Sequence, residues 1–180
     1  RKEWLSTEFN IEPNRIIVSG SPRHDDYFAS RTKKGIKHQK TVLLALNPIS
    51  DVSGLSSTEL KIRTNKVIKK IFSTIKKFND LKIIVKLHAI QLEHNEEIKS
   101  LIKELDNTVP VYISTSIIDT INSADVVVVV SPENSATSTM LLESMILGKP
   151  TMNIFCNEQI YKFNHIQRNA VFTINDQSDI

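Results

Sequence analysis

The residues best suited to chemistry lie in SPENSATSTMLLESMILGKP, Ser131 to Pro150. Ser135, Thr137, Ser138 and Thr139 place four hydroxyls within five positions, just ahead of an apolar helical run. One helix cap needs one such side chain. Ser135 is the expected N-cap, with Ala136, Thr137 and Ser138 in the first turn. Unpaired main-chain N–H groups and the positive end of the helix dipole meet there, an arrangement that suits a phosphate. Ordinary capping is the alternative. Glu143 follows Thr139 by four residues, on the same helical face. Met140, Leu141, Leu142, Met145, Ile146 and Leu147 surround it, so the helix should be largely buried and the carboxylate needs a partner. A ribose diol, donating two O–H groups, would satisfy it. So would an ion pair with Lys or Arg, or a narrow strip facing solvent.

Three further places offer polar groups. His88, in KLHAIQ, closes an apolar run and could donate to a phosphate oxygen or act as a general acid; a structural histidine is the plainer reading. GSPRHDD, Gly20 to Asp26, puts Arg23 beside two acids after a tight turn. Its guanidinium fits phosphate, or a salt bridge to Asp25 or Asp26. Asn47 and Pro48 end another apolar run, ahead of the polar loop ISDVSGLSS, which could close over a ligand. With four glycines in the chain, neither G-x-G-x-x-G nor G-x-x-x-x-G-K-[ST] occurs, so a phosphate site must be built differently. Cys156 is the single cysteine and the five histidines are dispersed. No internal disulfide or Cys-based zinc site follows, and no metal is expected. Cys156 itself reads as core packing.

The elements that must position these residues alternate. Thr41–Pro48, Leu81–His88, Val109–Ser114, Ala124–Ser131, Pro150–Phe155 and Asn169–Ile174 are short, apolar and mostly β-branched, as in strands buried on both faces. Between them, Thr58 to Phe78 carries Leu60, Val67, Ile68, Ile71, Phe72, Ile75 and Phe78 on one stripe and lysines elsewhere. Those lysines read as a wet helix face, with contact to anionic lipid or substrate as the alternative. EHNEEIKSLIKEL, SIIDTINS and SATSTMLLESMILG supply more helices, the last stopped by Gly148 and Pro150. The order predicts an α/β, Rossmann-like, doubly wound parallel sheet over residues 41–180, with ligands outside the carboxyl ends of its strands. Residues 1–40 read as a lead-in: a short strand in NRIIVSGSPRHDDYF, then a basic linker, ASRTKKGIKHQK.

A net charge of +3 gives no clustered basic footprint for nucleic acid. ADVVVVV is far shorter than a membrane span, and the first ten residues lack the apolar core of a secretory leader. The expected location is the cytoplasm, with the inner membrane face as a peripheral contact.

Together these pieces resemble the carboxyl-terminal half of GT-B-type enzymes that act on nucleotide-activated sugars or alcohols. IIVSGSPRHDDYF is similar to the V-x-G-x-P-R-x-D segment of wall-polymer glycerophosphotransferases, KLHA to their K-x-H-P, and NSATSTMLLESMILGKP to their serine-rich helix start with its Glu and closing G-K-P. UDP-N-acetylglucosamine 2-epimerases share the layout, with D-S-G-G where this chain has ENSAT. The resemblance implies one half of a GT-B fold, a missing N-terminal acceptor domain, and a UDP-, CDP- or CMP-linked donor with no separate cofactor. It places Ser135, Ser138 and Thr139 on the donor pyrophosphate, Glu143 on the ribose, and His88 at phosphate or the reacting centre. The activity implied is glycosyl or glycerophosphate transfer in surface polysaccharide synthesis, which this chain would not perform alone. The other readings are an epimerase half, using His88 and Glu133, and a non-catalytic nucleotide-binding domain.

Overall fold

The computed structural model describes residues 2–18, 20–31, 39–49, 56–90, 92–132, 138–156 and 164–177. Six parallel strands form one sheet: β1 (Lys40–Leu46), β2 (Leu81–Lys86), β3 (Val111–Tyr112), β4 (Val126–Ser131), β5 (Thr151–Phe155) and β6 (Phe172–Asn175). Their spatial order is β3-β2-β1-β4-β5-β6. The chain runs outward from β1 to β3, returns to lay β4 against β1, and proceeds outward the other way. The reversal between β1 and β4 opens a crevice at the carboxyl ends of those strands, where doubly wound sheets place ligands.

Burial follows from that centre. Val42 to Leu46 and Val127 to Ser131 are buried throughout, because β1 and β4 are covered on both faces. Leu44, Val85, Leu87, Val128 and Val130 face one core, filled by Leu60, Val67, Ile68, Ile71 and Phe72 of α3 (Ser57–Ile75) and Ile98 and Ile102 of α4 (Leu92–Leu105). Leu43, Ala45, Val127 and Val129 face the other, with Ile121 of α5 (Ile117–Ser123) and Leu141 and Ile146 of α6 (Thr139–Ile146). Cys156 is fully buried in the first core, and its thiol is pushed up to about 12, first by burial. That makes it packing, not a nucleophile.

The helix ends obey local chemistry. Ser56 caps α3, its hydroxyl accepting from the Glu59 N–H at 3.2 Å. At the end of α6, Gly148 takes φ +73°, its N–H bonds the Met145 carbonyl, and the Lys149 N–H bonds the Ser144 carbonyl. That Schellman closure needs the glycine and turns the chain into β5.

Several expected boundaries move. α6 begins at Thr139 with Ser138 as N-cap, three residues beyond the expected cap at Ser135. α3 stops at Ile75 and leaves Phe78 exposed, because the chain must turn there to bring Leu81 opposite Lys40. β3 shortens to two residues, an edge strand paired only with Val85 and Lys86. β6 starts at Phe172, after Asn169 has taken φ +52° in the preceding turn. No strand forms among the described residues of the lead-in. After α1 (Lys2–Glu8), Pro13–Arg15 makes a 3-10 turn and Ile17 stands 86% exposed, with no sheet edge to pair against. Residues 20–31 nevertheless pack on the sheet's second layer. Tyr27 of α2 (Asp25–Ala29) enters the core there, Asn122 Nδ2 donates to the Ser30 carbonyl at 2.9 Å, and Arg31 Nε donates to the Ile146 carbonyl. The expected linker over Ala29–Lys40 falls mostly outside the described residues. No described helix is long and apolar enough to cross a membrane.

Candidate functional site

Strand alternation brings the polar candidates to one face. Ala45 faces the α5–α6 layer, so Asn47, two residues on, continues that face past the end of β1. On β2 the same parity runs through Ile84 and Lys86 to His88. A cavity of about 390 Å³ opens at these strand ends, and its wall includes Asn47, Lys86, His88, Ser138, Thr139 and Glu143. Five sequence-predicted residues thus converge on it. A second hollow of about 420 Å³, at the amino ends of β1 and β2, gathers none of them.

Hydrogen bonds fix the polar wall. Ser138 does not use its hydroxyl as a cap; it donates to Asn47 Oδ1 at 2.9 Å. Asn47 Nδ2 donates to Ser131 Oγ at 3.3 Å, which donates to Asn153 Oδ1 at 2.8 Å. This chain crosses the β1–β4 reversal and anchors the start of α6 to the sheet. Ser131 and Asn153 escaped sequence reasoning because each sits inside an apolar strand pattern. Asn95 did too: from α4, its Nδ2 donates to the His88 carbonyl at 2.8 Å. His88 Nδ1 accepts from the Ile90 N–H at 3.3 Å. With Nδ1 accepting, the neutral ring carries its proton on Nε2, a donor on a half-buried side chain lining the cavity.

Glu143 is fully buried. Arg23 reaches it from the lead-in, Nη2 to Oε1 at 3.0 Å, with the Arg23 side chain 61% exposed. Arg23 pairs with neither Asp25 nor Asp26, as the alternative reading had it; the two candidate residues meet each other across 120 positions. Glu143 Oε2 is buried without a hydrogen-bond partner among the described residues. Such an acceptor is costly until something donates to it. Gly20 takes φ +80° and shapes the turn before Arg23, but does not line the cavity. Ser135, Thr137 and Glu133 lie outside the described residues.

Tyr27, also missed, lies against the same carboxylate. Burial first, then the Glu143 charge and the phenol's own hydrogen-bonding contact with that carboxylate, push its pKa up to about 12. An ionised tyrosine is therefore disfavoured in the folded state. Stability from this group is complete below pH 10 and is lost as pH rises toward 12, roughly 2–3 kcal/mol in all. Absorbance titration at the tyrosinate band should show one phenol still neutral at pH 11, and Tyr27→Phe should remove that late step. A variant with the same late step would place the raised phenol elsewhere.

No protein-family model matches the chain, and no curated protein matches it. Solved structures do. A Listeria monocytogenes protein provisionally assigned as a UDP-N-acetylglucosamine 2-epimerase superposes with a TM-score of 0.67 at 12% identity, over 97% of this chain and 45% of its own. The Neisseria meningitidis UDP-GlcNAc 2-epimerase, solved with UDP-GlcNAc bound, gives 0.59 at 13%, over 98% and 46%. A glycosyltransferase from Rickettsia africae gives 0.58 at 14%, over 99% and 48%. The chain has the Rossmann-like fold of one half of such GT-B-type proteins, and spans a little under half the length of each.

Proposed function

We propose that this chain is the donor-binding domain of a GT-B-type transferase that uses a nucleotide-activated sugar or alcohol in surface polysaccharide synthesis. Residues 41–180 form the donor domain, residues 1–40 lead into it, and an acceptor domain completes the enzyme. One observation carries the reading. Glu143, a fully buried carboxylate whose Oε2 accepts no well-formed hydrogen bond from the described residues, lines the same cavity as His88 and the start of α6. A ribose hydroxyl would give this carboxylate a donor beyond Arg23 and the Tyr27 phenol that lies against it. The donor's phosphates then lie toward Ser138 and Thr139, where main-chain N–H groups at the head of α6 stabilise negative charge.

The roles follow from the chemistry of transfer. An acceptor hydroxyl oxygen bonds to the sugar carbon or to the phosphorus bearing the alcohol and gives up its proton to solvent. The bond to the leaving nucleotide breaks, and its electron pair stays on a phosphate oxygen. The α6 amides and the His88 Nε2–H face that growing charge and lower the barrier by differential stabilisation.

Titration of the chain with UDP, CDP and CMP, followed by amide NMR, tests the site. Shifts are expected at Asn47, His88 and Thr139, ranked by nucleotide. If none of the three nucleotides moves these amides, the donor-site reading falls.

A further inference from the structure

Lys86 brings into the cavity wall a charge that nothing in the described structure answers. It closes β2 on the face shared with His88, and only 7% of the residue is exposed. Its Nζ donates to the Ile113 carbonyl, at the exit of β3. An ammonium has three donors, so one neutral acceptor leaves it under-satisfied. No carboxylate among the described residues pairs with it. Lys149 offers the contrast: it donates to the Asn122 and Ala124 carbonyls, at 3.3 and 2.9 Å, and takes no part in the cavity wall. That is a lysine tying carbonyls together. Lys86 is a buried cation beside an open volume, which is expensive unless an anion arrives. Burial pulls its pKa down, the signature of a charge without a counter-charge.

We propose that Lys86 is an anion-binding residue of this cavity, whose ammonium takes a phosphate oxygen of the ligand from the β2 side while the head of α6 holds the phosphates from the other. The assignment rests on the cavity being the donor nucleotide site, and it adds a residue to that site. Two walls then grip the phosphate group: a point charge from the sheet and aligned amides from the helix. The Ile113 carbonyl holds the ammonium in place before the ligand arrives.

The test compares wild type with Lys86→Met, which keeps the length of the side chain and removes its charge. Both are titrated with uridine and UDP, and with inorganic pyrophosphate. The UDP-over-uridine affinity ratio should fall about tenfold in the variant, as expected for one lost charge-assisted contact. Uridine affinity should stay within about twofold on the same footing. An unchanged ratio in a folded variant overturns the proposal. Equal losses for uridine and UDP also overturn it, because they mark Lys86 as a strut for the β3 exit. If wild type binds neither uridine nor UDP, the donor reading fails separately. Pyrophosphate then decides: amide shifts at Lys86 and His88 that vanish in Lys86→Met uphold the anion site, and their absence ends it. Should Lys86→Met fail to fold, the side-chain NMR signals of Lys86 in wild type must move on adding pyrophosphate; if they stay still, the assignment is wrong.

Discussion

Glu143→Gln should weaken UDP and CDP binding by about 10- to 100-fold, the range that losing one or two charge-assisted hydrogen bonds gives. Glutamine keeps the shape and can still accept from Arg23 through its carbonyl oxygen. Its amide nitrogen, however, stands where Oε2 stood, and presents donors to a ribose hydroxyl that needs an acceptor. The fold should survive. Arg23 is mostly exposed, so its guanidinium regains water when the ion pair weakens, and a pair with one solvated partner contributes little to stability. Melting should therefore shift little while calorimetric affinity drops. Unchanged affinity would remove Glu143 from the nucleotide site and leave it a structural partner of Arg23. A collapse in melting with proportional loss of binding would point the same way.

That prediction separates what local pattern encodes from what it cannot. The alternation of β-branched runs with amphipathic stripes specified a parallel sheet, because each signal lies within a dozen residues. Asn47 and His88 were legible as candidates because the ends of parallel strands are where a doubly wound sheet keeps its ligands. Ser138, Thr139 and Glu143 were legible because small hydroxyl residues and a carboxylate break an otherwise apolar helix. Their convergence on one cavity needed the strand order, which brings β4 back beside β1.

The remainder depended on partners far apart in the chain. Nothing near Arg23 announces Glu143, and the two adjacent aspartates were the more obvious match. Tyr27 looks like any aromatic in a short helix until α2 is laid on α6. Ser131 and Asn153 are polar positions in largely apolar strands, and only register sets Ser131 beside Asn47 and Asn153 within reach of Ser131. Lys86 stands in the sequence only as the first residue of KLHA, because its burial in the cavity wall cannot be seen there. The lead-in strand failed for the opposite reason. Its apolar residues have strand propensity, but a strand is stable only against a neighbour.

Leu141→Ala should cost about 3–4 kcal/mol, the usual penalty for emptying a leucine site in a packed core. In a domain of this size that lowers melting by roughly 8–12 °C. Leu141 is 1% exposed and sits in the core with Leu43, Val127 and Val129. α6 has eight residues, too few to hold together on helix propensity alone. Its place therefore comes from burial of Leu141 and Ile146, from the Ser138–Asn47 bond at its head and from the glycine closure at its tail. Leu142 is the control. It is 39% exposed, and its replacement by alanine should cost well under about 1 kcal/mol. The pair ties stability to the site, because the helix that Leu141 anchors is the one that carries Ser138, Thr139 and Glu143. In a urea titration the two variants should differ by about 3 kcal/mol on these same grounds. If they prove equally mild, α6 is not held by that core, and the placement of Glu143 beside the cavity loses its physical basis.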